Sequence, residues 1–155
     1  MENYNAEKIA RVWQRVRGEA EQAPQIEAPR QQGLPMLIAE EQTDATTYLI
    51  LSRRFQGKQA LTLRRMFEEE QAHIACLKGI YTLTTGQRPA TKALPLPQES
   101  TEAILRRCYG REMRCLAEYE ARAKDPEYGR IFAGLAAQER EHCHRILELL
   151  GGLKK

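Results

Sequence analysis

The sequence predicts an all-α protein: four long helices arranged as two hairpins, with one long connection between them. Three observations lead there. Apolar residues recur at intervals of three and four through four long stretches, period-two alternation is nearly absent, and only the break over 82–100 is too long for a tight turn. At 155 residues the chain is sized for one domain and needs no disulfide staples to bury a core.

The elements follow in order. Residues 5–19 place Ile9, Val12, Trp13 and Val16 on one side of a short amphipathic helix, and EQAPQIEAPRQQG reads as a linker with two prolines. This N-terminal segment, 1–33, precedes a bundle over 34–155. The first long helix is expected from Pro35, suited to a first helical position, to about Phe55, with Gly57 stopping it. The second spans about 58–82. TLTTGQRPATKALPLPQES is then a crossover between hairpins. Ser100 caps a third helix running to about Lys124, Asp125 and Pro126 open the fourth, and Gly151 with Gly152 ends it.

Composition narrows the function classes. Lys and Arg exceed Asp and Glu by only three and are scattered among them, so no basic stripe exists for nucleic acid. No apolar run approaches the roughly 20 residues that cross a bilayer, and MENYNAEKIARVWQRVRGEA lacks an uninterrupted apolar core, so a soluble, cytoplasmic protein is expected. Cys76, Cys108, Cys115 and Cys143 form no CxxC pair; they read as reduced thiols on helices, not a zinc ribbon or rubredoxin-type site.

Each long helix carries an anomaly on its apolar face. The first aligns Leu37 or Ile38, Glu41, Ala45, Tyr48 and Ser52; the second Leu63, Met66, Glu70, His73, Leu77 and Ile80. The third aligns Ile104, Cys108, Glu112, Cys115 and Tyr119; the fourth Tyr128, Ile131, Leu135, Glu139, His142, Ile146 and Leu149. Glu41 and Glu112 are each followed seven residues on by a tyrosine, and Glu70 and Glu139 each begin an ExxH. The halves repeat at offsets of 71 and 69, as an internal duplication would. At 1.5 Å per residue, Glu41 and Glu70 lie roughly 24 and 20 Å from their shared turn, and Glu112 and Glu139 are similarly level.

A buried unpaired carboxylate costs several kcal/mol, and a whole domain is stable by only about 5–15 kcal/mol. Four therefore require positive charge among them. Two divalent cations suffice, and oxygen ligands with one imidazole per metal suit iron or manganese. The spacing in ExxH puts both side chains on one helical face, close enough to share an ion. Glu141 and His144 form a third such pair, but their neighbours Ala137, Gln138 and Glu148 mark a solvated face. Glu112 is preferred over Glu118 by its level and its tyrosine.

One inward Glu from each of two helices with ExxH from each of the other two resembles the ligand pattern of the ferritin-like superfamily, in particular its rubrerythrin branch, over about residues 34–150. The resemblance implies that Glu41, Glu70, His73, Glu112, Glu139 and His142 hold two iron ions, with manganese the alternative, and that Glu70 and Glu139 bridge them. Tyr48 and Tyr119 match tyrosines that hydrogen-bond ligating carboxylates. Cys115 occupies a place where rubrerythrins carry a further carboxylate, and no rubredoxin-like module follows the bundle. The implied activity is reduction of hydrogen peroxide or dioxygen with electrons from a separate donor protein, in a homodimer. A ferroxidase, a di-iron hydroxylase and a metal-free structural bundle are the competing readings.

Overall fold

The computed structural model describes residues 33–90, 95 and 97–153; the expected N-terminal helix and part of the crossover, 91–94 and 96, lie outside them. Within the described residues the chain is all-helical. Four helices, α1 (Leu34–Ser52), α2 (Gly57–Thr85), α3 (Thr101–Arg122) and α4 (Gly129–Leu153), form a four-helix bundle. α1 packs chiefly on α2 and α3 on α4, while α1 meets α3 and α2 meets α4 along the seam between the hairpins. Contacts run in opposite directions across the seam: Tyr48 reaches Glu112 while Tyr119 reaches Glu41, so α1 and α3 are antiparallel. Among the described residues no helix is long and apolar enough to cross a membrane.

Local chemistry sets the ends. Pro35 sits in the first turn of α1, where its missing N–H costs nothing. α1 stops at Ser52, earlier than expected, because Arg53 and Arg54 turn back onto the carbonyls of Ile50 and Leu51 at 3.1 and 2.8 Å. Gly57 consequently does not close α1; with φ +55° it is the first residue of α2. α2 runs three residues past the expected end to Thr85. There Gly86, at φ +70°, takes the left-handed conformation and gives its N–H to the Thr82 carbonyl at 2.9 Å. Ser100 caps α3 through a hydrogen bond from the Ala103 N–H at 3.2 Å.

Asp125 accepts the N–H groups of Glu127 and Tyr128, both at 2.9 Å, but it heads a turn, and α4 begins only at Gly129. Gly151 and Gly152 do not end α4, which continues through both to Leu153. A helical glycine costs only about 1 kcal/mol relative to alanine. That cost is met where the end of α4 lies close to the start of α2: a Cβ on Gly152 would come 2.7 Å from the Gln59 amide nitrogen.

The core has two apolar layers. One, toward the start of α1, joins Leu34, Leu37, Ile38, Leu77, Leu116 and Phe132. The other, toward the α1–α2 turn, joins Leu51, Leu63, Met66, Ile104, Leu105 and Ile146. Ile131, expected in the α4 stripe, is exposed, and Phe132 is buried in its place. The late start of α4 lets Phe132 stack with Tyr119 at 6.2 Å between ring centroids.

Gly129 marks the tightest point of the α3–α4 turn, since an added Cβ would stand 2.5 Å from the Ala123 carbonyl oxygen. Gly129→Ala should therefore lower stability by about 1–3 kcal/mol, the usual range for overpacking. Denaturant unfolding measures it, and an unchanged midpoint would contradict the close approach.

Candidate metal centre

Between the two apolar layers lie six ionisable side chains, Glu41, Glu70, His73, Glu112, Glu139 and His142, none more than 1 % exposed. All four helices contribute. The expected ligands thus come together in one place, including Glu112, while Glu118 and His144 face outward.

His73 presents Nδ1 to three carboxylates: Glu139 at 2.8 Å, Glu70 at 3.0 Å and Glu41 at 3.6 Å. His142 presents Nδ1 to Glu70 at 2.9 Å, Glu112 at 3.5 Å and Glu139 at 3.7 Å. The rings face one another with centroids 5.7 Å apart and planes 26° from parallel. Two ligand groups result, Glu41, Glu70, His73 and Glu139, and Glu70, Glu112, Glu139 and His142, each offering atoms within 4.8 Å of one another. Either group can hold a metal ion, and Glu70 and Glu139 belong to both.

The outward side of each imidazole is tied down. His142 Nε2 lies 2.9 Å from Glu69 Oε2, an oxygen that Arg145 Nη1 also holds at 2.6 Å. His73 Nε2 bonds to the Gln138 side-chain oxygen. A carboxylate and an amide oxygen can only accept, so both Nε2 atoms carry hydrogen. Nδ1 is left to face the carboxylates, which is how a ligating histidine is held. Tyr48 donates its hydroxyl to Glu112, and Tyr119 donates to Glu41. Each tyrosine thus serves the carboxylate of the other hairpin, not the one on its own helix. Cys115 is placed differently from the tyrosines, with its thiol 3.4 Å from Glu40, outside the six, and burial raises its pKa well above the ordinary thiol value.

Several inward atoms make no hydrogen bond, and the two Nδ1 atoms meet carboxylates only as ion pairs. Both oxygens of Glu70 and of Glu139, Oε2 of Glu112 and both Nδ1 atoms are buried without a hydrogen bond. At these Nδ1–carboxylate distances the acids and the imidazoles set one another's charge. Burial, then the charge of Glu41, raises the Glu70 pKa well above the usual value. Burial, then Glu139, raises Glu112 to about 7. For His73 burial acts downward but Glu139, Glu41 and Glu70 outweigh it; for His142 burial is outweighed by Glu112, Glu139, Glu69 and Glu70. Two acids that resist ionising, Glu70 and Glu112, beside imidazoles that resist losing a proton describe a place short of positive charge, while against burial Glu112 and the neighbouring histidines hold Glu139 below the usual value. Such a cluster could hold a metal ion, which would displace protons on binding.

Three contacts were not apparent in the sequence. Glu69 and Gln138, the outer partners of the histidines, sit on faces that look solvated by periodicity. Their interval of 69 is the one relating Glu70 to Glu139, and that was the available signal. Asp44 is buried and pairs with Arg111 Nη2 at 2.6 Å; burial, then Glu112, raises its pKa. Comparison with protein-family models, curated proteins and solved structures finds no match to this chain.

The pKa shifts carry a stability consequence. The contribution of Glu112 in the metal-free protein is complete below its unfolded value of 4.5 and is lost as pH rises through about 7. Both histidines, raised from 6.5, act in the same direction. The melting temperature of metal-free protein should fall from about pH 5 to about pH 8, and saturating divalent metal should reverse that slope because it binds the deprotonated groups. Thermal denaturation with and without metal tests this; a metal-free midpoint that rises with pH contradicts it.

Proposed function

We propose that this protein is a di-metal carboxylate protein of the ferritin-like, rubrerythrin type. It holds two iron ions and reduces hydrogen peroxide or dioxygen with electrons from a separate donor. The observation that carries this reading is the set of orphaned ligand atoms converging from α2, α3 and α4 beside Glu41 of α1, with both imidazoles fixed by their Nε2 atoms so that Nδ1 points inward. Four carboxylates balance two divalent cations in charge, and the oxygen-rich donor set with one nitrogen per ion suits iron or manganese above thiolate-preferring metals. A metal-free structural bundle would have to leave seven buried polar atoms without a hydrogen bond at one spot, with only ion pairs between the imidazoles and the carboxylates to offset their burial.

Bound iron would supply one electron per ion, the two needed to cleave an O–O bond. The chain's own residues fix the remaining requirements. Glu41, Glu70 and His73 with Glu139 form one seat, and Glu112 and His142 with the shared Glu70 and Glu139 form the other. Tyr48 and Tyr119 orient the two unshared carboxylates by donating to one oxygen each, leaving the other oxygen of Glu112 free to ligate. Apolar layers on both sides exclude water. The burial of all six side chains favours an oxidant of two heavy atoms over an organic substrate, and so favours peroxidase or oxidase chemistry over hydroxylation.

Anaerobic loading with Fe(II) should give two ions per chain, and adding hydrogen peroxide should produce ferric absorption in the near ultraviolet. With reductant present the cycle should repeat. A single charge that then stops would favour a ferroxidase or storage role. Glu70→Gln should abolish metal uptake, since Glu70 serves both seats. Unchanged metal content in Glu70→Gln and His73→Leu, with greater stability, would overturn the metal reading.

A further inference from the structure

The inner shell of the centre is nearly two-fold symmetric, but the layer behind it is not. Glu70 maps to Glu139 and His73 to His142 at an interval of 69, and the same interval maps Glu69 to Gln138. These two residues hold corresponding atoms, Nε2 of His142 and Nε2 of His73. One imidazole therefore donates to a carboxylate and the other to a neutral amide. The asymmetry extends one step further out. Arg145 reaches the same Glu69 oxygen at 2.6 Å, Arg65 holds the other at 3.1 Å, and the position equivalent to Arg145 is Cys76. Gln138 is exposed and no comparable anchor is seen for it among the described residues.

From this we infer that the two metal positions are inequivalent, with Glu69 acting as a positioning residue that makes the His142 seat the tighter and first-filled one. This rests on the two-metal reading above. A hydrogen bond to a carboxylate is roughly twice as strong as one to a neutral acceptor, and it raises the electron density that the opposite ring nitrogen offers to a cation. The two arginines keep the carboxylate from swinging into solvent, so the imidazole is already aimed before an ion arrives. The His73 seat has the same four-ligand count with a weaker and less constrained support, and it is the position that fills second and exchanges first.

Titration of the metal-free full chain with Co(II), read by its visible absorption and by calorimetry, tests the inference. Wild type should bind in two resolved steps. Glu69→Gln should weaken the tighter step about ten- to a hundredfold while the weaker one stays in place, so the steps merge. Gln138→Glu, at an exposed position that folding tolerates, should strengthen the weaker step by a comparable factor and merge the steps at the tight end. Two steps unaltered in both variants, or both steps of Glu69→Gln weakened equally, would overturn the inequivalence while leaving a two-metal protein standing. No uptake of Co(II) or Fe(II) by wild type would instead remove the metal reading itself.

Discussion

Everything in this bundle is arranged around four carboxylates and two imidazoles held together away from water. Left alone, that cluster is among the most costly things a small domain can bury, because each unpaired buried charge costs several kcal/mol against a total stability of about 5–15 kcal/mol. The surrounding structure responds in three ways. Apolar layers above and below fix the helices so that the cluster cannot open. Tyrosines and outer partners satisfy the atoms that point away from the centre. The inward atoms remain, and they could hold a metal ion.

Repetition explains how one chain builds such a place. Each hairpin supplies a Glu with a tyrosine seven residues on, and then an ExxH; neither hairpin is sufficient, because each tyrosine donates to the opposite hairpin's carboxylate and Glu70 and Glu139 belong to both ligand groups. The duplicated halves are interlocked through their polar atoms as well as through apolar packing. Where the halves diverge, they do so behind the six inward side chains: Glu69 against Gln138, and the Asp44–Arg111 pair against Cys115 beside Glu40, at the corresponding interval of 71. The inner groups are bound by a shared geometric demand, whereas the outer groups are free to differentiate the two sides.

Much of the fold and of the candidate centre was legible because helical periodicity is a local property. The rows through Glu41, Glu70 and Glu112 are buried as their spacing of three and four requires, as is the row through Glu139 from Leu135 onward, and Ser100 caps α3 as its side chain permits. Errors clustered where a residue type is compatible with two outcomes. Gly57 opens α2 instead of closing α1, Gly151 and Gly152 remain helical, and the turn headed by Asp125 delays α4 enough to exchange Ile131 for Phe132 in the core. Asp44 lies off the row through Glu41 and Ala45, and only the approach of Arg111 from another helix makes its burial tolerable.

The sequence by itself determined which faces are apolar, which polar residues interrupt them, and at what height along each helix those interruptions fall, since rise and rotation per residue are nearly constant in an α-helix. Tertiary structure alone decided the pairings: that Tyr48 serves Glu112 and not Glu41, that Nδ1 and not Nε2 of each histidine faces inward, and that Glu69 and Gln138 stand behind them. Those choices depend on the azimuth of one helix relative to another and on side-chain rotamers across a gap of a few ångströms. No spacing within a single helix encodes them.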